Sequence, residues 1–120
     1  MQKRRSFIFS FFSIVVLFVI QQSCVSHDFP SYTCPDEALS YAADIAPIVS
    51  TKCAIEDCHN GDNGAERNWT DFSLFQGKSE KVRSYVIHRV MPLSISAAGP
   101  LSQEEINKIA CWVDQGAQNN

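Results

Sequence analysis

The chain has 120 residues, of which 45% are hydrophobic and 19% charged, with a formal net charge of −3. That length suits one small domain and leaves no room for two hydrophobic cores. The acidic balance excludes the basic footprint of a nucleic-acid binder, and five cysteines in so short a chain call for disulfides, a metal or an attached cofactor.

Met1-Gln2-Lys3-Arg4-Arg5 is a basic start, and residues 7–20 are apolar except for Ser10 and Ser13. The run is shorter than the roughly 20 residues a membrane-spanning helix needs. It reads as the apolar region of a secretory signal peptide over residues 1–23. Ser23-Cys24 then resembles a bacterial lipoprotein cleavage site, with Cys24 as the lipidated first residue. An ordinary signal peptide or an uncleaved anchor are the alternatives. All three deliver the rest of the chain outside the cytoplasm, where disulfides persist. Loss of residues 1–23 leaves 97, removes three of the ten basic residues and keeps all 13 acidic ones, so the net charge moves to about −6.

Residues 24–39 form a tether leading into the domain. They include the polar stretch from His27 to Pro35, and His27 has no assigned role. A helix is expected near Asp44, with Asp44 as N-cap and Pro47 in the first turn. Ile45, Ile48 and Val49 then share a face and lead into Cys53. Residues 60–68 form a loop containing Gly61 and Gly64, and residues 69–76 a short helical turn. Ser79 is expected to cap a helix reaching about Val90, with Val82, Val86 and Val90 in a stripe and Pro92 as its stop. Residues 91–101 form a loop closed by Gly99-Pro100. The last helix opens on a capping box, Ser102 with Glu105, and carries Ile106, Ile109, Ala110 and Val113 on one face. Gly116 ends it. No alternating strand pattern appears, so the domain is expected to be all-α.

Within this frame, Cys53-Ala54-Ile55-Glu56-Asp57-Cys58-His59 carries the chemistry. Two nearby cysteines with a histidine after the second is the arrangement that attaches haem covalently, normally as C-x-x-C-H. Here four residues separate the cysteines. The thiols would add to the haem vinyl groups, and His59 would become the proximal iron ligand. The motif also admits a Cys53–Cys58 disulfide with His59 exposed, or a metal site on Cys53, Cys58 and His59. Adjacent Cys58 and His59 make an awkward tetrahedral pair, and no second close pair of ligands follows.

Asp44-Ile45-Ala46-Pro47-Ile48 before Cys53, the Cys58-His59 pair, Met91-Pro92, and the ending from Leu101-Ser102 through Trp112-Val113-Asp114-Gln115-Gly116-Ala117 to Asn120 together resemble the small class I cytochrome c domain of bacterial envelope proteins. The resemblance covers residues 40–120. It implies three to four helices packed around one covalent haem c, with Cys53 and Cys58 as attachment points and His59 and Met91 as iron ligands. A His/Met pair raises the reduction potential. His88 is the alternative sixth ligand, although it lies off the valine stripe. Tyr85 and Trp112 are either haem-edge or core aromatics. Arg89 either pairs with a haem propionate or sits solvated on the surface.

With Cys24 lipidated and Cys53 and Cys58 on haem, Cys34 and Cys111 remain. In an oxidising compartment they are expected to form a disulfide, a buried free Cys111 thiol being the alternative. No activated nucleophile, carboxylate pair or phosphate loop argues for an enzyme. The expected function is a monomeric one-electron carrier, facing the periplasm and lipid-anchored to a bacterial membrane, that meets redox partner proteins in the envelope. A haem-based ligand sensor with an open sixth site, or a haem-free, disulfide-rich binding lipoprotein, are the other readings.

Overall fold

The computed structural model describes residues 30–120. The expected signal peptide over 1–23, the lipidation site Cys24 and His27 lie outside the described residues. The described part is all-α: helices and turns, no strand, and one isolated bridge between Asn60 and Asn68.

The first helix, α1, covers residues 41–53 and is wound unevenly. Wide turns at Tyr41–Ile45 and Val49–Cys53 flank a single α-turn at Ala46–Ile48. The Ala46 N–H returns to the Tyr41 carbonyl, and the Ala54 N–H to Val49 at 2.7 Å. Pro47 has no N–H to donate, and the Ser50 and Thr51 hydroxyls occupy its carbonyl at 3.0 and 2.8 Å. The helix starts before Asp44, which corrects the expected cap. Ser40 is the N-cap, its hydroxyl accepting from the Ala43 N–H, while the Asp44 carboxylate accepts from the Ser40 N–H at 2.9 Å. Asp44 is thus the reciprocal arm of a capping box, displaced by one position because the first turn is wide. The stripe of Ile45, Ile48 and Val49 is buried as its spacing requires, and it ends on buried Cys53.

Asp71 caps α2 (Phe72–Gln76) by accepting from the Ser73 and Leu74 N–H groups. Trp69 therefore belongs to the preceding loop and not to the helix. The chain turns at once into α3 (Ser79–Ile87). Here Lys78 is the N-cap and makes no side-chain cap bond, so Ser79 is the first helical residue and not the expected cap. The helix also stops short of Val90. Arg89 adopts φ +55°, its N–H bonding Val86 and the Val90 N–H bonding Tyr85. This left-handed closure satisfies the last carbonyls of the helix. It turns Val90 out of the stripe, to 48% exposure. Pro92 is consistent with such an ending, since it disfavours helical geometry at Met91.

The last helix, α4 (Gln103–Asp114), has both arms of the expected capping box: the Glu105 N–H donates to the Ser102 hydroxyl and the Ser102 N–H to the Glu105 carboxylate. Gly116, at φ +95°, closes it with the same left-handed motif. Its inner face buries Ile106, Ile109, Ala110, Cys111, Trp112 and Val113. Trp112 stacks on Phe75 at 5.6 Å, and these two rings with Ile45 and Ile109 are the largest fully buried side chains besides Cys111.

Both ends of the described chain are fastened together. A disulfide joins Cys34 to Cys111, with Cα atoms 5.3 Å apart. The Tyr32 hydroxyl donates to Asp114 at 2.6 Å. The Gln115 amide accepts from the Leu39 N–H and donates to the Glu37 carbonyl. Asn120 accepts from the Tyr41 N–H through its side chain (2.8 Å) and from the Ala42 N–H through its carbonyl (3.1 Å), so it completes the N-terminus of α1. Its amide also donates to the Leu39 carbonyl. The terminal residues thus act as a clamp on the start of the first helix. Asn120→Ala is expected to cost about 1 kcal/mol, the worth of an N-terminal cap. A urea midpoint lowered at constant slope is the measure of it.

Candidate functional site

The wide cysteine spacing is closed by a turn. The Cys58 N–H bonds the Ile55 carbonyl at 3.1 Å, Asp57 takes φ +61°, and the His59 N–H returns to the Cys53 carbonyl at 3.0 Å. The four intervening residues therefore loop out and bring Cys58 and His59 back beside the end of α1. Residues 60–68 then double back through Gly61 (φ +100°) and Gly64 (φ +121°), conformations that only glycine adopts without strain. The Trp69 N–H bonds the His59 carbonyl at 2.8 Å.

This returning chain, the end of α1, one face of α3 and the stretch after α3 enclose a cleft of about 380 Å³. Cys53, Cys58, His59 and Met91 all line it, so residues about 30 to 40 positions apart meet at one concavity. Val82, Tyr85 and Val86 of α3 supply apolar lining, to which Pro92 and Leu93 add. A cavity of this size and lining is the ordinary form of a small-molecule or cofactor site.

Cys53 and Cys58 are both free thiols, the first buried and the second half-buried. The Cys53 pKa is pushed up to about 12, first by burial and then by the neighbouring Cys58 and Glu105. Cys53 therefore stays a neutral thiol at physiological pH. Among the described residues, no three His, Cys, Asp or Glu side chains gather as a metal cluster.

His59 lies flat against Trp69, with ring centroids 3.6 Å apart and planes inclined by 3°. Its Nδ1 is buried and has no hydrogen-bond partner. Burial, and secondarily the Arg67 guanidinium, hold its pKa below the ordinary 6.5, which favours the neutral imidazole that can ligate a metal. The sign of the linkage follows. The unfolded chain binds a proton at His59 more readily than the folded one, so the chain should lose stability as pH falls from 6.5. Melting temperatures between pH 7.5 and 5 should decline less in His59→Gln than in the parent.

The charge of the cleft opposes that of the molecule. Lys52, Arg67, Lys78 and Lys81 line it against a single carboxylate, Asp57. These are four of the seven basic residues in the described part. The Lys52 ammonium donates to the Ala98 carbonyl at 2.8 Å and so ties the end of α1 to the 88–101 stretch. That of Lys81 lies 5.4 Å from the Tyr85 ring centroid.

His88, the alternative sixth ligand, is exposed and lies outside the cleft lining. Its Nδ1 donates to the Ser84 carbonyl at 2.7 Å. Arg89 is also outside, its guanidinium donating to the Leu101 carbonyl and the Gln103 amide oxygen. Trp112 is a core residue whose Nε1 donates to the Gln118 carbonyl at 2.9 Å. Tyr85 does reach the cleft. Sequence reasoning missed Trp69 and the four cations. The two glycines that let the chain double back were the only signal for Trp69, and scattered lysines and arginines carry none until α3 and the loops converge.

Comparison with protein-family models, with curated proteins and with solved structures gives no match for this chain.

Proposed function

We propose that the chain is a mono-haem c-type cytochrome that carries single electrons in the bacterial cell envelope. The observation that carries this reading is the convergence of Cys53, Cys58, His59 and Met91 on one cleft. The donor set fits a haem. Two free thiols and an imidazole line the cleft, and the Met91 thioether lines it with them. In this reading Cys53 and Cys58 would hold the porphyrin through thioethers, and His59 and Met91 would ligate its iron. Val82, Tyr85, Val86 and Leu93 exclude water from the ring. The four cations are there for two carboxylates, since a basic lining in an otherwise acidic domain suits a ligand that brings its own negative charge. Bound haem supplies a one-electron ferric/ferrous couple, and the protein contributes ligands, burial and orientation. Cys24 would carry the lipid that holds the domain at a membrane, facing the periplasm and its redox partners.

The test is a pyridine haemochrome spectrum on protein made in a host with c-type haem maturation, after denaturing gel separation. A c-type band that stays with the polypeptide is expected. No band would overturn the electron-carrier reading and leave a disulfide-containing binding lipoprotein in its place. Loss of the band in Cys53→Ala/Cys58→Ala would place the attachment.

A further inference from the structure

A histidine that ligates a metal almost always donates its other ring N–H to a carboxylate, a backbone carbonyl or a water, and that hydrogen bond fixes the ring plane and strengthens the ligand. His59 lacks this support from the chain: its Nδ1 is buried and unpartnered. What holds the ring is Trp69, parallel to it within 3° at 3.6 Å. Trp69 is itself fixed. The Trp69 backbone N–H is bonded to the carbonyl of His59, and its indole, whose own N–H is buried without a partner, packs 5.5 Å from Phe75 at the centre of the core.

We infer that Trp69 is the positioning residue for His59, and that stacking on the indole does here what a hydrogen bond to Nδ1 ordinarily does. The inference rests on the haem reading and adds two consequences to it. The plane of the imidazole is set by a face-to-face contact, so it depends on the flatness of residue 69 and not on its polarity. And an imidazole whose N–H finds no acceptor is a weaker electron donor than a hydrogen-bonded one, which favours the ferrous state. A parallel stack leaves the in-plane lone pair of the other ring nitrogen free, so the contact is compatible with ligation.

Two variants separate positioning from simple space filling. Phe at residue 69 keeps a flat ring, whereas Leu keeps apolar bulk without one. Haem content is read first, by pyridine haemochrome, on the parent, Trp69→Phe and Trp69→Leu. The low-spin electron paramagnetic resonance spectrum and the reduction potential follow on the same samples. The expected result is equal haem content in all three, near-parental spectra and potential in Trp69→Phe, and broadened spectra with a lowered potential in Trp69→Leu. Loaded proteins in which Trp69→Leu matches Trp69→Phe in both readouts would overturn the inference and leave the haem reading standing. If the parent holds no haem, the haem reading fails. The stack is then read by nuclear magnetic resonance: its ring current should shift the His59 ring protons upfield in the parent and in Trp69→Phe, and not in Trp69→Leu. An unshifted parent would overturn the inference there too.

Discussion

Cys34→Ser/Cys111→Ala should lower the unfolding free energy by about 4.5 kcal/mol, the chain-entropy value for a loop of this length. The bond spans 77 positions and therefore constrains nearly the whole described chain in its unfolded state. The loss would be large against the roughly 5–15 kcal/mol total typical of single domains. Cys111 is fully buried, so Ala is the suitable replacement there, and Ser suits exposed Cys34. Urea unfolding of the parent and the double variant measures the difference. The intact mass of the parent before and after reduction, two hydrogens apart, establishes that the bond is present in the sample. A loss below about 1 kcal/mol would mean that the unfolded chain is already held compact by other contacts.

Met91→Ala should open the sixth coordination position of the haem-loaded protein. The parent is expected to be low-spin and indifferent to carbon monoxide. The variant should turn high-spin, bind carbon monoxide, and lose potential on the order of 0.1–0.2 V within the roughly 0.8 V range that axial ligands span. His88→Ala is the companion, and should change neither spectrum nor potential, because His88 is exposed, bonded to Ser84 and outside the cleft. The reverse pattern, an altered His88→Ala and an unaltered Met91→Ala, would remove Met91 from the site.

The sequence made parts of this structure legible, and the boundary has physical causes. The α4 helix could be read because its signals are local: Ser102 and Glu105 sit one turn apart, and the apolar face repeats with the helical period. The buried stripe of α1 was legible for the same reason, but its start was not. Asp44 resembles a cap until the wide first turn moves that role to Ser40. The end of α3 was misplaced because Val90 continues a four-residue spacing that the backbone abandons at Arg89. At the cleft, Cys53, Cys58 and His59 could be picked out by their spacing, and Met91 by the resemblance. Trp69, Lys52, Arg67, Lys78 and Lys81 could not, because each becomes part of the site only through the contacts between separate segments.

The fastening of the two chain ends divides the molecule mechanically. The disulfide, the Gln115 clamp and the Asn120 bonds all tie the N-terminal segment and the start of α1 to α4 and the residues after it, while the 54–71 and 88–101 stretches around the cleft receive none of them. Stability of this kind is uneven, and such segments open separately at different free energies. The cleft should therefore breathe while the clamp stays shut. Amide hydrogen exchange is expected to be fastest through 54–71 and 88–101 and slowest along α4. A domain built this way can open at one end without coming apart at the other.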